Sequence, residues 1–195
     1  MTTRAWMAEA TSLFLATLDK TSDDELDAPS LLPRWSRRHV VAHVHFNARA
    51  LGRLVSWAAT GTESRMYASA ERRNAEIEEG ARLPAGELRR LVRSSADELA
   101  AALDALSPEA WQATVLTAQG RPVQATEIPW MRTREVAVHA VDLGTGVTFA
   151  DLPPDLVTAL VVDVAGKRAA GGEGPALAAW LTGRDPEAPR LGPWL

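Results

Sequence analysis

Glu135-Val-Ala-Val-His139 sets a carboxylate and an imidazole four residues apart in an apolar stretch. On a helix the two side chains leave the same face one turn apart, so they can grip a single ion. Glu135 also stands among residues fit for burial, Met131 and Val136, where an unpaired carboxylate is costly and calls for compensation. One more ligand would make a metal site, and His43 is the upstream candidate, on the inward face of another predicted helix. Two imidazoles and a carboxylate with one position open form the donor set of a catalytic zinc site and not of a closed structural one. The same donors suit other first-row ions. Asp142, three residues after His139, is either a partner that orients that imidazole from behind or an exposed acid at a helix end.

A rival set shares His43. His39-Val-Val-Ala-His43 has the two-histidine spacing of a zinc protease helix, but Val40 stands where the catalytic glutamate belongs. If the ligands are His43, Glu135 and His139, His39 becomes a helix-start residue near solvent. A lone inward histidine is most often a core imidazole, and Glu-x-x-x-His arises by chance on many helices. Helix geometry therefore permits the three side chains to meet without requiring it.

Four main helices must position these residues. Apolar residues at three- and four-residue steps predict a first helix from about Ala5 to Leu18, followed by a polar connection at Asp23, Asp24 and Glu25. Ser36 is a good N-cap for a helix running to about Thr60, with Gly61 past its end. Val40, His43, Asn47, Leu51, Leu54 and Ala58 share one face of it, and His45 points elsewhere. A short charged helix around Glu71 to Glu79 leads to a third main helix begun at Pro84 and carrying Leu88, Leu91, Leu99 and Leu106. Ser107-Pro108 starts another turn, and the period breaks from Thr114 to Thr126, which reads as a loop or small hairpin around Gln119-Gly120. Thr126 and Glu127 open the fourth helix, with Pro129 in its first turn and Met131, Glu135, Val138, His139 and Asp142 on one face. Beyond it, Pro153-Pro154 begins a helix to about Ala169, glycines interrupt at Gly171 to Gly174, and Ala176 to Thr182 forms a last short helix. The chain is thus mainly α, with an antiparallel bundle over residues 1–150 and a mostly helical extension over 151–195.

Composition excludes several classes. The 195 residues carry a net charge of -4 with acids and bases interspersed, so there is no basic field to capture nucleic acid or an anionic membrane. No apolar run reaches the ~20 residues of a membrane span, and the first residues alternate polar and apolar, unlike a signal peptide, so a cytoplasmic protein is expected. Cysteine is absent, which removes disulfides, thiolate zinc clusters and a sulfur nucleophile borne by the chain. Thiol chemistry here needs a thiol brought by a cofactor.

Three segments carry a family resemblance: Trp35-Ser-Arg-Arg-His-Val-Val-Ala-His43-Val-His-Phe-Asn47, Leu116-Thr-Ala-Gln-Gly-Arg121, and Trp130-Met-Arg-Thr-Arg-Glu135-Val-Ala-Val-His139-Ala-Val-Asp142-Leu-Gly144. With Met66-Tyr67 and Arg73-Asn74 they make most of residues 1–150 resemble the mycothiol-dependent maleylpyruvate isomerase family, which belongs to the DinB-like metal-binding four-helix bundles. The resemblance implies a DinB-like bundle in which His43, Glu135 and His139 hold zinc and mycothiol is the thiol cofactor. It implies the cis to trans isomerisation of maleylpyruvate to fumarylpyruvate in gentisate breakdown. Family members carry a second domain whose arginine completes the site. That region is shortened here, and Gly183-Arg184 matches the late Gly-Arg motif, so Arg184 takes the role. Arg184 and Arg73 are the implied clamps for an unsaturated dicarboxylate, Arg34 is a further candidate, and Arg34, Asn47 and Gln119 are the positions placed on the mycothiol side.

The implied chemistry is consistent with the ligand set. A free thiol of pKa ~8.5 is only about 3% thiolate at pH 7, and a metal-bound one is deprotonated outright, a gain of roughly thirty-fold. The thiolate adds to the double bond, the resulting single bond rotates, and the thiol leaves. Three other functions compete. An S-transferase acting on another electrophile would accumulate thiol adducts, and a metal-stabilised binding protein would lose its fold or its complex, not a rate, with His43→Ala. A zinc hydrolase lacks an evident general base beside the metal. Oligomeric state is left open, a monomer included.

Overall fold

The computed structural model describes residues 2–192, which divide into two compact units with the boundary between Leu152 and Pro153. In the first unit the longest helix, α3 (Arg37–Thr60), starts and stops where its sequence provides the means. Ser36 holds extended backbone at the N-cap, and Gly61 takes φ +73°, the left-handed conformation that ends a helix at low cost only in glycine. Every residue from Val40 to His45 is buried, so α3 has neighbours on all sides and forms the middle of the unit.

Helices α1 (Thr3–Lys20), α5 (Ala85–Asp104) and α7 (Ile128–Asp142) complete the four-helix bundle around it. Their directions follow from the polar contacts. Arg4 of α1 meets Ala100 and Asp104 while Arg89 and Arg93 of α5 meet Leu18 and Asp19, so α1 and α5 are antiparallel. Arg37 donates to the Leu143 carbonyl and Arg132 to that of Val44, so α3 and α7 are antiparallel too. By contrast, α3 and α5 run parallel: Arg38 donates to the Leu83 carbonyl, and His45 lies 3.0 Å from both the Leu91 carbonyl and the Ser95 hydroxyl.

Two successive long helices can be parallel only if the chain is carried back between them, and residues 61–84 do this. Helix α4 (Ala70–Ala81) returns along α3, from Met66 beside Arg53 to Gly80 beside Ala42. A Cβ at residue 80 would stand 2.9 Å from the Ala42 Cβ and 2.9 Å from the Phe46 ring, so only glycine lets α4 lie this close. Between the helices Phe14, Leu18, Leu51, Leu54, Leu88, Leu103 and Ile128 are fully buried, each contributing about 1.5–3 kcal/mol on leaving water.

The structure departs from the sequence reading in three places in this unit, the first being that α3 and α5 run parallel in a bundle expected to be antiparallel. Asp23 to Glu25 do not form a plain connection: they belong to a short helix, α2 (Asp23–Asp27), held by a capping box in which Ser22 and Glu25 serve each other's backbone N–H. On α7 the buried stripe is Ile128, Arg132, Val136 and Ala140, with Thr133 and Ala137 beside it. Met131, Glu135, Val138, His139 and Asp142 lie on the half-buried shoulder and not on the core face. The predicted turn at Ser107-Pro108 is α6 (Pro108–Trp111), and the predicted break before α7 is an antiparallel hairpin of β1 (Thr114–Leu116) and β2 (Pro122–Gln124), whose Val115 and Val123 pair and are buried.

The second unit contains α8 (Pro154–Arg168) and α9 (Gly174–Leu181), joined by a wide turn in which Gly172 takes φ +100°. Arg168 ties it together by binding the Glu173 carboxylate and the Gly192 carbonyl. Among the described residues no helix is long and apolar enough to cross a membrane.

Candidate metal centre

The antiparallel pairing of α3 and α7 brings the three expected donors together. His43 Nε2 lies 2.9 Å from Glu135 Oε2, and His139 Nε2 lies 3.4 Å from the same oxygen. One ligand atom from each of the three residues falls within 4.8 Å of the others. In a tetrahedral zinc site with bonds of about 2.0–2.1 Å, neighbouring donors stand about 3.3 Å apart, close to the two spacings measured from Glu135 Oε2. The His43 and His139 rings meet edge to face at 4.8 Å, and Trp35 lies 5.6 Å from the His43 ring. The rival ligand His39 is turned away: its Nδ1 accepts from the Ser36 N–H, its ring stacks on Trp35, and its Nε2 faces Glu78.

The electrostatics are those of a cation site. Burial works against an ionised Glu135, but the His139 and His43 hydrogen bonds outweigh it and hold the carboxyl well below its usual range. Burial keeps His43 neutral. For His139 burial is overcome by Asp142, whose Oδ2 lies 2.8 Å from Nδ1, and by Glu135, so that its pKa rises to about 9. The pocket therefore presents two carboxylates whose charge is only partly offset by a proton on His139, a proton that a divalent ion would displace. The Asp142 bond fixes the proton on Nδ1 and leaves Nε2 as the ligand atom, the usual arrangement behind a metal-bound histidine.

Arg73 of α4 joins the centre. Its Nη2 lies 3.4 Å from His43 Nδ1, and its guanidinium sits 5.9 Å from the centroid of the Tyr67 ring. Burial, with Glu135 nearby, pushes the Tyr67 hydroxyl up to about 12. Asn47 is buried and its Oδ1 accepts from Arg132 at 2.9 Å, so that oxygen is engaged inside the bundle. Arg34 is exposed in the turn before α3 at φ +67°. Gln119 is exposed at the tip of the hairpin. Arg184 is exposed in the second unit, where it donates to the Thr182 carbonyl.

Arg132 is the residue that the sequence reading missed. It is 1% exposed, donates to the Val44 carbonyl at 2.7 Å and to Asn47, and burial lowers its pKa to about 10. Its signal was a single charge in an otherwise uncharged four-residue stripe, Ile128, Arg132, Val136, Ala140. One turn from Glu135, it locks α7 to α3 beside the ligands.

Comparison with known proteins agrees with the fold of the first unit. The family model described as the mycothiol maleylpyruvate isomerase N-terminal domain matches residues 7–144. The crystal structure of the mycothiol-dependent maleylpyruvate isomerase is 42% identical with a TM-score of 0.81, the match covering 84% of this chain and 68% of that one. A histidine-to-alanine mutant of that isomerase matches with the same values. No curated protein matches the chain.

Proposed function

Since the chain belongs to the mycothiol maleylpyruvate isomerase family, we propose that it is a zinc- and mycothiol-dependent cis–trans isomerase that converts maleylpyruvate to fumarylpyruvate in cytosolic gentisate breakdown. The observation that carries this reading is the convergence of His43, Glu135 and His139 from two helices onto one point. His43, Glu135 and His139 would hold the zinc, which when bound would supply a Lewis acid for the thiol of mycothiol.

The chain's own residues have separate tasks. Glu135 stays ionised at neutral pH and brings the negative charge that favours a cation. Asp142 holds His139 with Nε2 toward Glu135, and Arg132 fixes the register of α7 on α3. Trp35 covers one side of His43, shielding the centre from water and strengthening its electrostatics. Arg73 offers a guanidinium beside the centre, suited to bidentate capture of a substrate carboxylate. Arg184 remains the proposed second clamp.

The test is fumarylpyruvate formation by the zinc-loaded protein with and without mycothiol, and after chelation. The expected result is activity only with both. Equal rates in the presence and absence of mycothiol would refute the proposal, and accumulation of thioether adducts in place of fumarylpyruvate would assign the chain to S-transfer.

A further inference from the structure

Bordering Tyr67, whose ring neighbours the Arg73 that reaches His43, the first unit has a recess of about 380 Å³ lined by Arg53, Arg65, Arg72, Tyr67 and Glu76. Its volume is in the range of small-molecule sites, roughly 300–1,000 Å³. Three guanidiniums and one carboxylate give the lining a net charge of +2, in a chain whose net charge is -4. Arg72 faces Glu76 and Glu79, and Arg65 pairs with Glu63, while Arg53 donates to the Met66 carbonyl, a neutral partner. These arginines are held only by exposed surface ion pairs and a backbone carbonyl, contacts weak enough for an entering anion to displace.

The recess and the centre share a wall. Tyr67 lines the recess and carries Arg73 over its ring, and Arg73 in turn reaches His43. We propose that this recess is an anion subsite that holds the carboxylate-bearing end of the substrate, with Arg53, Arg65 and Arg72 as donors, while the reacting bond lies on the His43 side of Tyr67. The proposal rests on the isomerase reading for the identity of the anion. Guanidinium is the fitting group, because its fork binds both oxygens of a carboxylate.

The experiment uses the full zinc-loaded chain and succinate, an unreactive dicarboxylate, as the probe. Its affinity is measured by calorimetry for the wild type, Arg53→Gln, the double variant Arg65→Gln/Arg72→Gln, and the control Arg90→Gln, whose side chain faces solvent on α5 away from the recess lining. Loss of a charge-assisted hydrogen bond predicts about tenfold weaker succinate binding and a similar rise in KM for maleylpyruvate in the recess variants, with kcat within about twofold. The double variant carries the test should Arg53→Gln fail to fold, since both of its side chains are largely exposed. Unchanged succinate affinity and KM in the double variant would overturn the subsite while leaving the isomerase intact. Arginine-dependent succinate binding in a protein with no isomerase activity would uphold the subsite and remove the isomerase reading.

Discussion

Replacing Asp142 with alanine separates two opposing effects of one carboxylate. Asp142 Oδ2 lies 2.8 Å from His139 Nδ1, with both side chains largely buried, at 16% and 14% exposure. It fixes the ring so that Nε2 is the ligand atom, and loss of such a partner costs about 10–100-fold in metal affinity. The same carboxylate helps raise the His139 pKa to about 9, so at about pH 7 zinc must displace a proton held two pH units below its pKa, which weakens binding by about 100-fold. Asp142→Ala removes the first effect and, because Glu135 still raises the His139 pKa, only part of the second. At about pH 9.5, where little proton remains to compete, zinc binding by the variant should show the full 10–100-fold deficit. At about pH 7 the relief from proton competition offsets part of it, leaving a smaller deficit than at about pH 9.5. Asp142→Asn, which retains an acceptor without the charge, should fall between. Zinc affinity is read by competition with a chromophoric chelator at the two pH values. An equal deficit at both, or none at either, would refute this account of Asp142.

Metal-free protein should lose stability as pH rises. His139 titrates near 9 in the folded chain and near ~6.5 unfolded, so its contribution, of order 3 kcal/mol, is complete below about pH 6.5 and fades as pH climbs through 9. The buried neutral His43 and His45, whose pKa values burial lowers, act the other way below about pH 6.5, and urea midpoints across this range test the sum. Gly80→Ala should lower stability by about 1–3 kcal/mol despite the ~1 kcal/mol of helix propensity it gains, because its Cβ meets Ala42 and Phe46; an unchanged urea midpoint would mean α4 can back away freely. Arg132→Met leaves the Asn47 carbonyl oxygen without its buried donor and should cost about 1–3 kcal/mol by urea unfolding, with partial recovery on adding Asn47→Leu.

That His43 lies in the inward stripe of α3, and that Glu135 and His139 lie one turn apart on α7, is legible in the sequence because each depends on helical period alone; that the three meet depends on the antiparallel pairing of α3 and α7. The ends of α3 were equally legible, since Ser36 and Gly61 are local signals with local causes. What escaped depends on neighbours. The face of α7 was read by seeking apolar residues, but the core stripe contains Arg132, tolerable there because the Val44 carbonyl and Asn47 accept its hydrogen bonds. The course of residues 61–84 was read as a polar stretch with a short helix. That this segment makes α3 and α5 parallel and delivers Arg73 to His43 depends on how closely α4 can approach, which Gly80 decides. The Ser22-x-x-Glu25 box was readable, but five residues give no apolar period to draw attention to it.

The register between α3 and α7 is fastened on both sides of the donors, by Arg37 on the Leu143 carbonyl and by Arg132 on that of Val44. Neither fastening uses the ion. The centre is therefore standing ready before any cation arrives, unlike small zinc domains that collapse when stripped. Its occupant should be exchangeable, cobalt for zinc for instance, in a chain that stays folded throughout the swap.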